Sequence, residues 1–120
     1  MDSNECYRRY RNARMRFNNE LEAIEEEYIS SNYSLKEGDI VRFKNYSYRT
    51  PTLACIKSLY FTAKLEDERY RYPHVGVKGF VVDEEGYFVP FIKGGSQPIS
   101  CAFEPQEIIE VTAIKYKGLR

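Results

Sequence analysis

Residues 74–93 read HVGVKGFVVDEEGYFVPFIK, and this stretch decides the fold. Two runs of apolar and β-branched residues, 74–82 and 87–93, flank the sequence DEEG at 83–86. Four residues that end in glycine are typical of a hairpin connection, because glycine readily adopts a positive φ. Pro90 removes one donor from the second run, so that strand should lie at a sheet edge or carry a bulge. The stretch therefore predicts an antiparallel hairpin in a β-rich region.

Similar patterns extend on both sides of this hairpin. Val41 and Phe43 alternate with polar neighbours after a turn at Gly38, which predicts a first strand. The apolar stretch 53–65 also fits helical spacing, but we interpret it as a strand over Ala54–Thr62. The remaining elements predicted from the sequence are a short strand at Ile99–Phe103, one helical turn at 104–107 and a closing strand at Ile108–Tyr116.

Five or six short strands, with a one-turn helix before the last, resemble the SH3-like barrel in outline. The likeness covers residues 38–120 and involves no family motif. We predict an α+β fold class, with a long N-terminal amphipathic helix in residues 1–34 and a small five- or six-stranded SH3-like antiparallel β-barrel in residues 35–120. Closure into a barrel would remove the exposed edges of an open sheet. Many unrelated functions share such barrels, so the fold does not choose among them.

The N-terminal segment from Asn4 to Ile29 contains no glycine or proline and predicts the long helix. Asp2, Ser3 or Asn4 can accept hydrogen bonds from the first free amides, and Asp2 followed by Glu5 has the spacing of a capping box. The sequence SSN at 30–32 marks the end. The apolar and aromatic residues with helical spacing are Tyr7, Tyr10, Phe17, Leu21, Ile24 and Tyr28. We expect this stripe to bind a partner.

The charges of this helix are ordered along its length. The bases are Arg8, Arg9, Arg11, Arg14 and Arg16, and the acids are Glu20, Glu22, Glu25, Glu26 and Glu27. This order opposes the helix macrodipole, which favours acids at the start and bases at the end. A second copy running antiparallel would place each basic half against an acidic half. We therefore predict an antiparallel helix pair or a complementary partner helix, and the alternative is a helix packed along its own barrel with solvated charges.

Tyrosine is abundant, with 11 residues in 120, and several tyrosines alternate with arginine. Two basic and aromatic clusters result: Arg42, Tyr46, Tyr48 and Arg49, then Arg69, Tyr70, Arg71 and Tyr72. Such surfaces suit single-stranded DNA or RNA, because bases stack on rings while arginines follow the phosphates. Tyrosine is also enriched at protein interfaces, and neighbouring acidic residues weaken a phosphate-driven mode. We predict a surface that binds protein, and the alternatives are a nucleic-acid-binding surface and an ordinary tyrosine-rich strand surface.

Catalytic and metal signatures are weak. Cys6, Cys55, Cys101 and His74 number the four ligands of a zinc site, but no close-spaced pair of ligands occurs. A cysteine nucleophile with His74 as base would need an orienting group and oxyanion donors that no motif indicates. Cys55 and Cys101 stand in apolar runs typical of buried cysteines. We predict no enzyme activity, no metal, no cofactor and no small-molecule substrate.

Composition limits the class of protein further. An apolar fraction of 42% with 15% aromatic residues is too high for a wholly disordered chain. The 18 basic and 18 acidic residues give a net charge of zero, which argues against a histone-like polycation. No run reaches the ~18 apolar residues of a membrane span, and no signal peptide is evident at the start. We expect a cytoplasmic protein that binds another protein or its own copy and no membrane.

Overall fold

The computed structural model describes residues 1–63 and 74–120. The elements are α1 (Ser3–Asn32), β1 (Asp39–Phe43), β2 (Thr52–Ala63), β3 (His74–Val81), β4 (Ser100–Phe103), a 3-10 turn (Pro105–Glu107) and β5 (Ile108–Lys115). They form two compact units, Met1–Ser34 with α1 and Leu35–Arg120 with the strands. The predicted α+β class is confirmed, since one long helix precedes an antiparallel sheet.

The first unit is a single helix of 30 residues, about 45 Å long at 1.5 Å per residue. It begins as predicted, because the Asp2 carboxylate accepts a hydrogen bond of 2.8 Å from the backbone N–H of Glu5. It ends at Asn32, whose side-chain amide donates to the carbonyl of Tyr28 at 2.8 Å. None of its side chains is fully buried.

The second unit is a five-stranded antiparallel sheet with the order β4-β3-β2-β1-β5. The first and last strands of the chain lie side by side, with Val41 opposite Val111. Within the described ranges β4 and β5 are separate edges, so the predicted closed barrel is not confirmed. On β4, the side-chain amide of Asn45 donates to the Ala102 carbonyl at 3.3 Å.

Both faces of the sheet carry a hydrophobic cluster. On one face, Phe43 stacks on Phe103 with ring centroids 4.1 Å apart. The buried residues of that face are Val41, Phe43, Ala54, Ile56, Val77, Cys101 and Phe103. The buried residues of the other face are Ile40, Leu53, Cys55 and Val82, with Phe80, Phe88 and Ile114 packed against them. Continuous apolar runs in β2 and β3 follow from this burial on two faces.

Residues 74–93 fold partly as predicted. β3 and the turn at 83–86 are present, and Gly86 has a φ of +99°. The predicted second strand at 87–93 is not continuous: isolated bridges join Val82 to Phe88, Tyr87 to Gly118 and Pro90 to Pro98. Pro90 has no N–H to continue a ladder, and β3 pairs instead with β4.

The turn at 83–86 is held by its own side chains and by the C-terminal residue. One oxygen of Asp83 accepts from the backbone N–H groups of Glu85 and Tyr87 at 2.9 and 3.1 Å. Arg120 donates to Asp83 at 3.0 Å and to Glu85 at 2.9 Å. Desolvation acts to raise the pKa of Asp83, but these hydrogen bonds outweigh it and hold the pKa below its ordinary value. None of the described helices is long and apolar enough to cross a bilayer.

Candidate functional site

The stripe predicted on α1 lies on one side of the helix, because the residues recur in steps of three and four. We call it the α1 stripe: Tyr7, Tyr10, Phe17, Leu21, Ile24 and Tyr28. Four of its members expose more than half of their surface: Tyr7 68%, Tyr10 66%, Phe17 59% and Ile24 62%. Leu21 and Tyr28 are half-buried. Large exposed apolar groups in a continuous row are typical of a binding surface.

The arginines predicted to act with the stripe lie on the same helix. Arg8, Arg9 and Arg11 are exposed, and Arg9 donates to Glu5 at 2.8 Å one turn away. The last turn of α1 contains no basic residue, so the charge order remains opposed to the macrodipole. The ion pair of Arg9 with Glu5 leaves this charge order unchanged, whereas a complementary partner would compensate it.

The cluster around residues 42–49 does not form one surface. Arg42 is half-buried and lies between two acids, with its Nη1 3.3 Å from Glu84 and its Nε 3.4 Å from Glu110. Hydrogen bonding to Glu84 is the main cause of its raised pKa. Arg42 therefore joins the turn at 83–86 to β5. Its positive charge is already balanced by Glu84 and Glu110, so it is a weaker site for a phosphate.

The other three members of that cluster divide in the same way. Tyr48 is half-buried and packs edge-on against Phe43 at 5.2 Å, and desolvation raises the pKa of its hydroxyl. Its backbone N–H donates to the Asn45 side chain at 2.8 Å. Tyr46 is 86% exposed, and the guanidinium of Arg49 lies 5.4 Å from the centre of its ring. Only Tyr46 and Arg49 combine an open ring with an adjacent cation.

The second basic and aromatic cluster lies outside the described residues. It comprises Arg69, Tyr70, Arg71 and Tyr72. Its role as a partner- or nucleic-acid-binding surface stays a prediction.

The thiols are poor nucleophiles where they are buried. Cys55 and Cys101 are buried as predicted, and Cys6 on α1 is exposed. Burial raises the pKa of the Cys101 thiol to about 11 and that of Cys55 in the same direction. The thiolate is the reactive form, so both are largely inert near neutral pH. In the described parts of the chain, no three His, Cys, Asp or Glu side chains are grouped to hold a metal ion.

Sequence reasoning missed several exposed apolar side chains of the second unit. Ile109 and Val111 on β5 are each 57% exposed, because β5 is an edge strand and little covers its outer side. Phe91 and Ile92, before the turn at Gly94, are also exposed. Alternation marks both β5 residues as strand positions, but it cannot reveal which strand lies at an edge. These residues are further candidate contacts.

Comparison of the chain with protein-family models, with curated proteins and with solved structures finds no match.

Proposed function

We propose that the protein is a non-catalytic interaction module that binds another protein, or a second copy of itself, through the α1 stripe. The observation that carries the proposal is the exposure of Tyr7, Tyr10, Phe17 and Ile24 in one row. Covering such side chains is favourable at about 25 cal/mol per Å² of apolar surface. Aromatic residues beside arginine are also the composition of strong contacts at protein interfaces.

The second unit supplies a scaffold in this proposal. Its strand order and the 3-10 turn before β5 support an SH3-like arrangement. The burial of Cys55 and Cys101 supports a non-catalytic role, and three free thiols suit the reducing conditions of the cytoplasm.

The test compares substitutions on the two sides of α1 in the full chain. Phe17→Asp with Ile24→Asp places charges in the stripe, while Asn12→Asp with Asn19→Asp places the same charges on the opposite side of the helix. We expect the stripe variant to lose self-association in sedimentation velocity, or the capture of a partner, while the control retains both. Equal behaviour of the two variants would refute the proposal, provided that circular dichroism shows equal helix content.

The alternative function is binding of single-stranded DNA or RNA. The observation that favours it is the open Tyr46 ring with Arg49 beside it, a stacking platform next to a cation. The ion pairs of Arg42 count against it, because they occupy a cation that the binding would use.

Fluorescence anisotropy with labelled oligonucleotides separates the two functions. If nucleic acid binds, the logarithm of affinity should fall steeply with the logarithm of salt. Tyr46→Ala with Arg49→Glu, or Arg69→Glu with Arg71→Glu, should then abolish binding and leave assembly through α1 intact. An absence of binding at low salt removes the alternative.

A further inference from the structure

We infer that the partner of the α1 stripe is α1 of a second copy of this chain. The two helices run antiparallel, and the two-fold axis between them crosses the stripe at the level of residue 19. The inference rests on the proposed function, since it names the occupant of that surface. Three features of α1 carry it: the spacing of the stripe, the position of one arginine within the stripe, and the order of the charges along the flanks.

The spacing is that of a heptad seam. Positions 7, 10, 14, 17, 21, 24 and 28 alternate steps of three and four residues, which are the a and d positions of a coiled coil. All but Arg14 are apolar or aromatic. The helix is continuous through all of these positions, so their side chains form one seam about 30 Å long.

An antiparallel pair sets each a position against a d position of the other copy, which allows few registers. With the axis at the level of residue 19, Leu21 lies against Phe17 of the second copy, and Tyr28 lies against Tyr10 of the second copy. Arg14 then lies beside Ile24 of the second copy, where its aliphatic stem can pack while its guanidinium reaches solvent. The two-fold axis repeats every contact, so six layers result from three kinds of pair.

The flanking charges select this register. Arg11 lies opposite Glu25 of the second copy on one flank of the seam. On the other flank, Arg9 and Arg16 are near the levels of Glu27 and Glu20 of the second copy, within reach of long side chains. At the axis, Glu20 of one chain also approaches Glu20 of the other chain. Arg16 of each chain offsets the repulsion between these two carboxylates.

The competing arrangements lose these pairs. A shift by one heptad in one direction puts Arg11 opposite Asn18 and brings Arg14 against Phe17, so both the ion pair and the apolar centre are lost. A shift in the other direction keeps apolar pairs at the centre, but it puts Arg11 opposite Asn32 and brings Glu20 beside Glu27, so repulsion replaces the ion pair. A parallel pair puts every arginine level with the same arginine and every glutamate level with the same glutamate, which repels along the whole helix. The opposition of the charges to the macrodipole, unfavourable in one helix, becomes favourable in the antiparallel pair.

The test is a charge swap in the full chain, followed by sedimentation equilibrium at about 0.05 M salt, where screening is weak. Arg11→Glu and Glu25→Arg each turn two attractive pairs of the dimer into two repulsive ones. We expect each to raise the dimer dissociation constant about tenfold. The double variant restores opposite charges and should return to within about threefold of the wild type. An equimolar mixture of the two single variants should prefer the heterodimer.

Glu26→Arg provides the matched control, because Glu26 lies on the side of α1 opposite the seam and its reversal should leave the constant within about threefold. Circular dichroism of each variant checks that helix content is equal. A dimer that is weakened by the single changes but not rescued by the double change overturns the antiparallel register and leaves self-association standing. A wild-type chain that stays monomeric refutes the inference that a second copy is the partner. The proposed function is tested separately by the variant Phe17→Asp with Ile24→Asp.

Discussion

Gly79 shows how one residue fixes the approach of two strands. It lies on β3 opposite Ile56 of β2 and Cys101 of β4, in the middle of the sheet. A Cβ at this position would clash with the carbonyl oxygen of Cys55 and lie 3.2 Å from its carbon. The clash is with backbone held by ladders on both sides, so no side chain can move to relieve it.

Gly79→Ala should therefore lower the free energy of unfolding by about 2–3 kcal/mol, as overpacking in a core does. The control is Gly76→Ala on the same strand, where the nearest atoms are the side-chain ends of Thr62 and Tyr60. Those ends can rotate away, so the loss should be smaller. Urea denaturation measures both, and equal losses would show that strand separation is not what requires glycine at 79.

The Cys101 thiol makes a second prediction at this scale. Burial raises its pKa from 9.0 to about 11, so above pH 9 only the unfolded chain ionises it. The contribution of the protonated Cys101 thiol to the free energy of unfolding is fully present below pH 9. It falls by about 2 kcal/mol as the pH rises toward 11. Cys101→Ala should be less stable at pH 7 but should lose less stability over this interval. The shift of Cys55 acts in both proteins, whereas the charge of Cys101 contributes to the raised pKa of Tyr48 and is absent from the variant. The difference in slope between the two proteins therefore measures Cys101 together with its effect on Tyr48.

Single residues also mark where sequence reasoning ends. Burial of Cys55 and Cys101 was predictable, because each stands in a local apolar run. The ion pairs of Arg42 were not, because its partners Glu84 and Glu110 are 42 and 68 positions away in sequence. Local pattern places Arg42 beside tyrosines and suggests a phosphate site. Its ion pairs with Glu84 and Glu110 instead give Arg42 a structural role.

At the scale of elements, α1 is the clearest case of structure encoded locally. Its start, its end and its stripe all follow from residues within a few positions, and each was predictable. No side chain of α1 is fully buried, so the stability of the helix depends strongly on its ends and on what binds the stripe.

Asp2→Ala should weaken the first turn of α1 by about 1 kcal/mol, because it removes the cap that accepts the Glu5 N–H. Hydrogen exchange at that amide should then be about fivefold faster. Asp2→Asn keeps a side-chain oxygen and should change the rate little. Similar acceleration in both variants would indicate that charge rather than the cap hydrogen bond stabilises the turn.

The hairpin region is the opposite case. Its turn follows from local chemistry, since Asp83 and Gly86 form it within five residues. The failure of residues 87–93 to form a full strand depends on β4, which takes the ladder position beside β3. Competition between distant segments for one edge cannot be predicted from the alternation of either segment alone.

At the scale of the whole molecule, position in the sheet outweighs residue type. Val41 and Val111 are direct partners in the ladder, yet Val41 is fully buried and Val111 is 57% exposed. Apart from residues 87–93, the predicted strands match strands of the structure, but the open edge that separates β5 from β4 was not predicted. Sheet closure is a property of the final assembly of strands and has no local signature.

The paired valines make this testable. Val41→Asp should prevent folding of the sheet unit, because it buries an unpaired carboxylate. Val111→Asp, the same change on the next strand, should cost less than about 1 kcal/mol, since its carboxylate can remain in water. Thermal unfolding by circular dichroism compares them. A large loss in the Val111 variant would indicate that a partner covers β5.

The pairing of β1 with β5 also matters during synthesis. A ribosome makes Ile40, Val41 and Phe43 early, but the strand that shields their edge emerges some 70 residues later. Until then β1 can pair with β2 and still present an open, apolar edge to other nascent chains. Translation that stalls before residue 108 should thus leave an edge of β1 unpaired and a product that aggregates more readily.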